Sequence, residues 1–139
     1  MKITNDKIIL KTRGAGDLID ITAKISSLLE KSKLKKGNLT VFVVGSTAAI
    51  TTFEYEPGLI KDVQELCEKL IPQKKHYFHD DTWADANGFS HLRASLFGAS
   101  ITIPFDDAEL LLGTWQQVVV AEFDNRSRER EIIVQIIGE

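Results

Sequence analysis

Three short segments are apolar at nearly every position: Val41-Phe42-Val43-Val44, Val118-Val119-Val120-Ala121, and residues 132–137, where only Gln135 breaks the run. Side chains alternate between the two faces of a strand, so a strand that is apolar throughout needs cover on both sides. Helices, a second sheet or another subunit can supply it. All three runs fall far short of the roughly 20 apolar residues that span a bilayer. Met1-Lys2-Ile3-Thr4-Asn5-Asp6-Lys7 lacks the apolar stretch of a secretory leader. A soluble, cytoplasmic chain with no membrane partner is expected.

Size and charge narrow the options further. A chain of 139 residues is one domain's worth, and at that size roughly 68–70% of the unfolded surface is buried, enough for a core without cross-links. Seventeen Lys and Arg against twenty Asp and Glu leave a formal charge of -3. Non-specific nucleic-acid binding needs a surplus of cations, so no nucleic-acid partner is expected. The single cysteine, Cys67, excludes an intrachain disulfide and any zinc site built from several thiolates.

Periodicity separates helices from strands. Ile21, Ile25, Leu28 and Leu29 form one helical stripe, with Asp20 or Thr22 as the cap and Gly37 as the stop after a lysine-rich end. Those lysines read as a solvated helix end rather than a phosphate patch. Pro57-Gly58 opens a second helix to about Ile71, on which Leu59, Val63, Leu66, Cys67 and Leu70 share a face and make Cys67 a core residue. A short third helix from Gly88 to Phe97 would bury Phe89, Leu92 and Leu96. Residues 73–87 show little periodicity, which marks a functional or interface segment. Strands are expected at 7–12, 39–44, 48–55, 100–105, 113–123 and 132–137, with Pro104 placing its strand at an edge. The expected fold is α+β: a single compact domain over 1–139, with mixed or antiparallel sheets, two main helices and one short one. So few helices cannot cover all the apolar strands, so an oligomer is expected.

Chemistry-bearing residues concentrate in the aperiodic segment and the helix after it. His79, Asp80 and Asp81 precede His91 by about a dozen residues, and His91 falls on the polar side of its helix. Two imidazoles with a carboxylate suit a divalent metal (Zn or Mg), or proton transfer near neutral pH; an exposed histidine is the plain alternative. His76 reads as a surface residue. Gly113-Thr114-Trp115-Gln116-Gln117 places hydrogen-bonding side chains just before an apolar strand, a polar mouth leading into core. Arg126, Arg128 and Arg130 alternate with acids and read as an exposed hairpin, whereas Arg93, near His91, is the better anion ligand. Glu54, at a strand end, either binds a ligand or merely solubilises.

Taken together, Ser100-Ile101-Thr102-Ile103-Pro104-Phe105 and Leu112-Gly113-Thr114-Trp115-Gln116 resemble the signature of the YjbQ family, also called the secondary thiamine-phosphate synthase family. Glu54 with Glu56-Pro57-Gly58-Leu59, Tyr77-Phe78-His79-Asp80, Asn87 through Ser90-His91-Leu92 and Gly138-Glu139 follow in family order over almost the whole chain. The resemblance implies a compact α+β homotrimer with sites near subunit contacts. It also implies a weak thiamine-phosphate synthase activity, a transferase reaction joining hydroxymethylpyrimidine diphosphate to a thiazole phosphate. In that frame His79 and His91 would hold a metal or move a proton, and Asp80 would orient one of them or ligate the metal. Arg93 would hold the phosphate of a small metabolite, and Thr114, Gln116 and Glu54 would shape the pocket. The alternative is a non-catalytic trimer that binds a small anionic metabolite or a divalent metal. The chain departs from the family pattern at Gly45, Phe53 and Phe89, where relatives often carry His, Asn and His.

Overall fold

The computed structural model describes residues 1–139, and its core lies between two antiparallel sheets. The elements run β1 (Lys2–Lys11), β2 (Asp17–Asp20), α1 (Thr22–Ser32), β3 (Gly37–Val44), β4 (Ala48–Phe53), α2 (Pro57–Leu70), α3 (Phe78–Trp83), α4 (Gly88–Phe97), β5 (Ser100–Asp106), β6 (Glu109–Leu110), β7 (Gln117–Glu122) and β8 (Glu129–Gly138). One sheet has the order β1-β8-β3-β5-β6 and the other β2-β7-β4. The fold is a single α+β domain, and no helix is long and apolar enough to cross a membrane.

The apolar runs meet different fates. Val118 to Ala121 on β7 are fully buried, because the three-stranded sheet is covered on both faces. Val118 and Val120 pack toward the five-stranded sheet with Ile50, while Val119 and Ala121 pack with Ala49 against Cys67 of α2 and Ala94 of α4. Ile25 and Leu29 of α1 fill the rest of the inner layer against β1 and β8. β3 and β8 bury only one face, through Leu39, Val41, Val43, Ile132, Val134 and Ile136. Their outer face keeps Phe42 and Val44 43% and 47% exposed, beside Ile9 of β1 at 50%. Within one chain, that face has no cover.

Several local expectations need correction. Residues 73–87 contain a short helix, α3, which bends too soon to show a repeat. Strand β2, Asp17–Asp20, is an addition to the expected strands, only four residues long and so without a visible alternation. β7 begins at Gln117 rather than Gly113, because residues 113–116 form a turn in which Gln116 N–H donates to the Gly113 carbonyl at 3.0 Å. α1 ends at Ser32, where Lys33 takes a left-handed φ of 62°. Gly37 instead starts β3 and lets β8 approach: a Cβ there would lie 2.0 Å from the Ile137 carbonyl oxygen. On α4 the buried face is Phe89, Ser90, Arg93 and Ala94, leaving Leu92 and Leu96 outside. The helix is turned because two elements rather than one press on it, the three-stranded sheet and the end of α2. Leu66 and Leu70 of α2 are likewise more than half exposed.

Candidate functional site

α3 and α4 form a tight corner that a single carboxylate holds together. Asp80 accepts the Tyr77 N–H at 3.1 Å, capping α3, and the Gly88 N–H at 3.0 Å, capping α4. The corner is close: a Cβ on Gly88 would fall 2.6 Å from Tyr77 Cβ. This geometry brings His79 of α3 and His91 of α4 together, with ring centroids 4.3 Å apart and planes at 53°. Asp80 itself is taken up by the two backbone N–H groups, which corrects its expected role as a metal ligand.

Around the imidazoles lie two residues that sequence reasoning passed over as ligands. Asn87 places its amide 3.1 Å from His79 Nε2, and Asp85 Oδ1 stands 3.6 Å from the same nitrogen. With its nitrogen turned toward them, the Asn87 amide donates to His79 Nε2 at 3.1 Å and to the Asp85 oxygens at 2.9 and 3.1 Å. In that orientation His79 Nε2 is a hydrogen-bond acceptor. Burial lowers the pKa of His91, and the neighbouring His79 lowers it further, outweighing the attraction of Asp85 and Asp124. His91 is therefore a neutral imidazole at neutral pH, able to accept a hydrogen bond or a proton.

Behind this pair lies a buried layer of charge. Asp124, with its side chain 1% exposed, accepts from Arg128 Nε at 2.7 Å and from the Thr47 hydroxyl at 3.2 Å. Asn87, with its amide turned the other way, donates to Asp124 at 3.4 Å. Glu122 and Arg130 form a second pair, deeper still, with Thr12 and Thr47 adding hydrogen bonds. The segment expected to be an exposed arginine hairpin thus turns two of its three arginines inward. The legible signal was the i, i+2 spacing of Glu122 and Asp124, mirrored by Arg128 and Arg130 across the turn, which puts each pair on one side of its segment.

The other predicted site residues lie elsewhere. Arg93 shares α4 with His91 but is buried on the helix's inner side, where Nε and Nη2 donate to the Ile71 carbonyl at 3.0 and 2.8 Å. Nη2 also meets Glu68 Oε2 at 2.8 Å, and the guanidinium lies over the Phe89 ring. That placement corrects its expected role beside His91: it clamps α4 to the end of α2. Thr114 and Gln116 line a separate polar cavity of about 440 Å3 against Thr22 and Ser26. Glu54 is exposed just past β4. Because β4 pairs Ala48 with Glu122 at one end and Phe53 with Gln117 at the other, these residues sit roughly 17 Å of strand away from the buried acids behind His79 and His91.

The donor set decides how a metal fits. His79 and His91 offer two imidazoles, but nowhere do three His, Cys, Asp or Glu side chains gather into a ligand set. The expected group of His79, His91 and Asp80 does not assemble, since Asp80 faces backbone N–H groups. The chain's own side chains do not complete a Zn or Mg site.

The family model described as "UPF0047 protein YjbQ-like" matches residues 6–139. The chain belongs to the YjbQ-like UPF0047 family. A UPF0047 protein of Methanothermobacter thermautotrophicus is 38% identical over 99% of this chain and 94% of its own length. A UPF0047 protein of Archaeoglobus fulgidus is 37% identical over 94% of this chain and 99% of its own. Among solved structures, a YbjQ-like protein of unknown function from Sulfolobus solfataricus matches with a TM-score of 0.92 at 34% identity, covering 99% of each chain. The two-sheet α+β architecture described above is thus the family's fold, and the relatives' descriptions name no activity.

Proposed function

We propose that this UPF0047 protein is a cytoplasmic enzyme that acts on a small phosphorylated metabolite at the His79–His91 pair. The reaction is of the thiamine-phosphate synthase type. The thiazole ring nitrogen attacks the methylene carbon of hydroxymethylpyrimidine diphosphate; a C–N bond forms, the C–O bond to the diphosphate breaks, and diphosphate leaves. The observation that carries this reading is the juxtaposition of the two imidazoles beside an open cavity that His91 lines. In this role the pair would hydrogen-bond the leaving oxygens and move a proton, with Asn87 fixing the His79 tautomer. Growth of a thiamine auxotroph carrying the wild-type chain, His79→Ala or His91→Ala tests it, alongside direct measurement of thiamine phosphate. Rescue by the wild type and loss in both variants is expected; equal rescue by all three removes the pair from the mechanism.

A second reading, a non-catalytic binder of a small anion, draws on a different observation. Arg93, Arg128 and Arg130 each pair with a carboxylate of this chain, so none is left as a free countercharge for a diphosphate. Saturable ligand binding without thiamine phosphate formation would favour it. In either case a homotrimer would cover the bare outer face of the five-stranded sheet, where Ile9, Phe42 and Val44 are exposed. Sedimentation of Phe42→Asp against wild type tests this: a shift to monomer is expected, and an unchanged mass places the contact elsewhere.

A further inference from the structure

His91 lines an open cavity of about 410 Å3 with Gly45, Ser46 and Ser95. Ser95 lies one helical turn beyond His91, so its hydroxyl borders the same space as the imidazole. Gly45 has a φ of +145°, and the room a side chain would take there is bounded by Arg130 alone, with Nη1 at 2.8 Å and Cζ at 3.9 Å. The Arg130 side chain is only 6% exposed. Its Nε and Nη2 are spent on Glu122 and the Thr47 hydroxyl, whereas Nη1 has no partner in the protein. A rigidly held guanidinium nitrogen with unused N–H donors therefore faces the position left empty at Gly45.

We propose that this cavity is a subsite for the phosphate group of a small metabolite, with Arg130 Nη1 and the Ser46 and Ser95 hydroxyls as donors. The proposal rests on the reading of His91 as part of the functional centre. The charge of Arg130 is already matched by Glu122, so the site offers hydrogen bonds rather than a free cation. Donors on three separate segments suit a tetrahedral oxyanion better than a planar one. Arg130 lies behind Gly45 rather than in the cavity wall, and a Cβ at 45 would come within 2.8 Å of Nη1, so only glycine leaves that nitrogen open to the cavity side.

Inorganic phosphate titrated into the isotopically labelled chain tests the subsite, with the backbone amide signals of Ser46 and Ser95 as the readout. Saturable shifts there, absent at Thr114, are expected. Ser95→Ala and Ser46→Ala, both surface changes that leave the core intact, should each weaken binding by about fivefold. Gly45→Ala should weaken it as well, and if that variant fails to fold the two serine variants carry the test. Acetate should bind at least about fivefold more weakly than phosphate, and a phosphate monoester more tightly than inorganic phosphate. Absent shifts, binding unchanged in both serine variants, or acetate binding as tightly as phosphate would overturn the proposal. A monoester no tighter than free phosphate would overturn its assignment to a metabolite. Intact phosphate binding with failed auxotroph rescue would overturn only the proposed reaction, and rescue without phosphate binding only this subsite.

Discussion

Arg130 and Glu122 meet in a two-pronged ion pair, Nε to Oε2 at 2.7 Å and Nη2 to Oε1 at 2.5 Å, with both side chains almost wholly shielded from water. The pair ties β8 of one sheet to β7 of the other at the end nearest His91. Removing one partner strands the other charge in a dry setting. Glu122→Gln should therefore cost about 3–5 kcal/mol of folding stability, read from urea denaturation. A loss under 1 kcal/mol would mean that water already reaches the pair.

Asp124 gives the fold an acid-sensitive limb. Burial pushes its carboxyl upward, but hydrogen bonds from Arg128 and the Asn125 N–H outweigh this and hold it below the ordinary 3.8. A carboxyl lowered in the folded state stabilises at pH values above 3.8, and that stability fades as pH falls through the depressed value. Asp124→Asn should flatten the fall in Tm across that acid range. An unchanged profile would show that other carboxyls set the limb.

His91 acts in the opposite part of the scale. Its folded pKa lies below the ordinary 6.5, chiefly through burial. Below pH 6.5 the unfolded chain takes up a proton before the folded chain does, so stability should decline as pH drops from 6.5 toward the depressed value. Above 6.5 the residue contributes no slope. His91→Gln should remove this decline, measured as Tm against pH; retention of the full slope would assign it to another group.

Gly37 faces a tighter constraint than its place after a lysine run suggests. A methyl group there would meet the Ile137 carbonyl and Gly138 Cα, both backbone atoms of β8. Gly37→Ala should destabilise by about 1–3 kcal/mol or more, because neither neighbour can swing aside. Calorimetric melting checks it, and a Tm within a degree of wild type would show that the β3–β8 register slips at little cost.

Arg93 should behave as a structural residue. Arg93→Lys keeps the charge but loses the fork that reaches both the Ile71 carbonyl and Glu68. Thermal stability should fall while phosphate binding at Ser46 and Ser95 stays within about twofold of wild type. A selective loss of phosphate binding at unchanged Tm would restore Arg93 to the ligand.

The parts of the fold visible in the sequence are those that repeat. Ile21, Ile25 and Leu29 announce α1, and the apolar run of β7 announces a strand covered twice, because burial imposes a period that can be read from one chain. α3 has too few residues to show one. The inward turn of Arg93 depends on a carbonyl 22 residues away, at Ile71, and no local pattern records such a partner. At the site, the histidines stood out by residue type, whereas Asn87 and Asp124 take their places from a corner held by Asp80 and from a connection between two sheets. Long-range contacts of this kind are set by topology, which spacing along the chain does not carry.

The position of β8 shapes how the molecule is made. It is the last strand in the chain, yet it lies between β1 and β3 and pairs with both along nearly their whole length. During synthesis β1 has no neighbour to pair with until residues 129–138 have left the ribosome. The β3–β5 pairing, itself long-range, can form earlier, but the five-stranded layer closes late and over a long sequence separation, which favours slow folding. Until then Ile3 and Ile9 wait on an unpaired strand, and the lysines at 2, 7 and 11 are the residues that keep it from sticking to its neighbours.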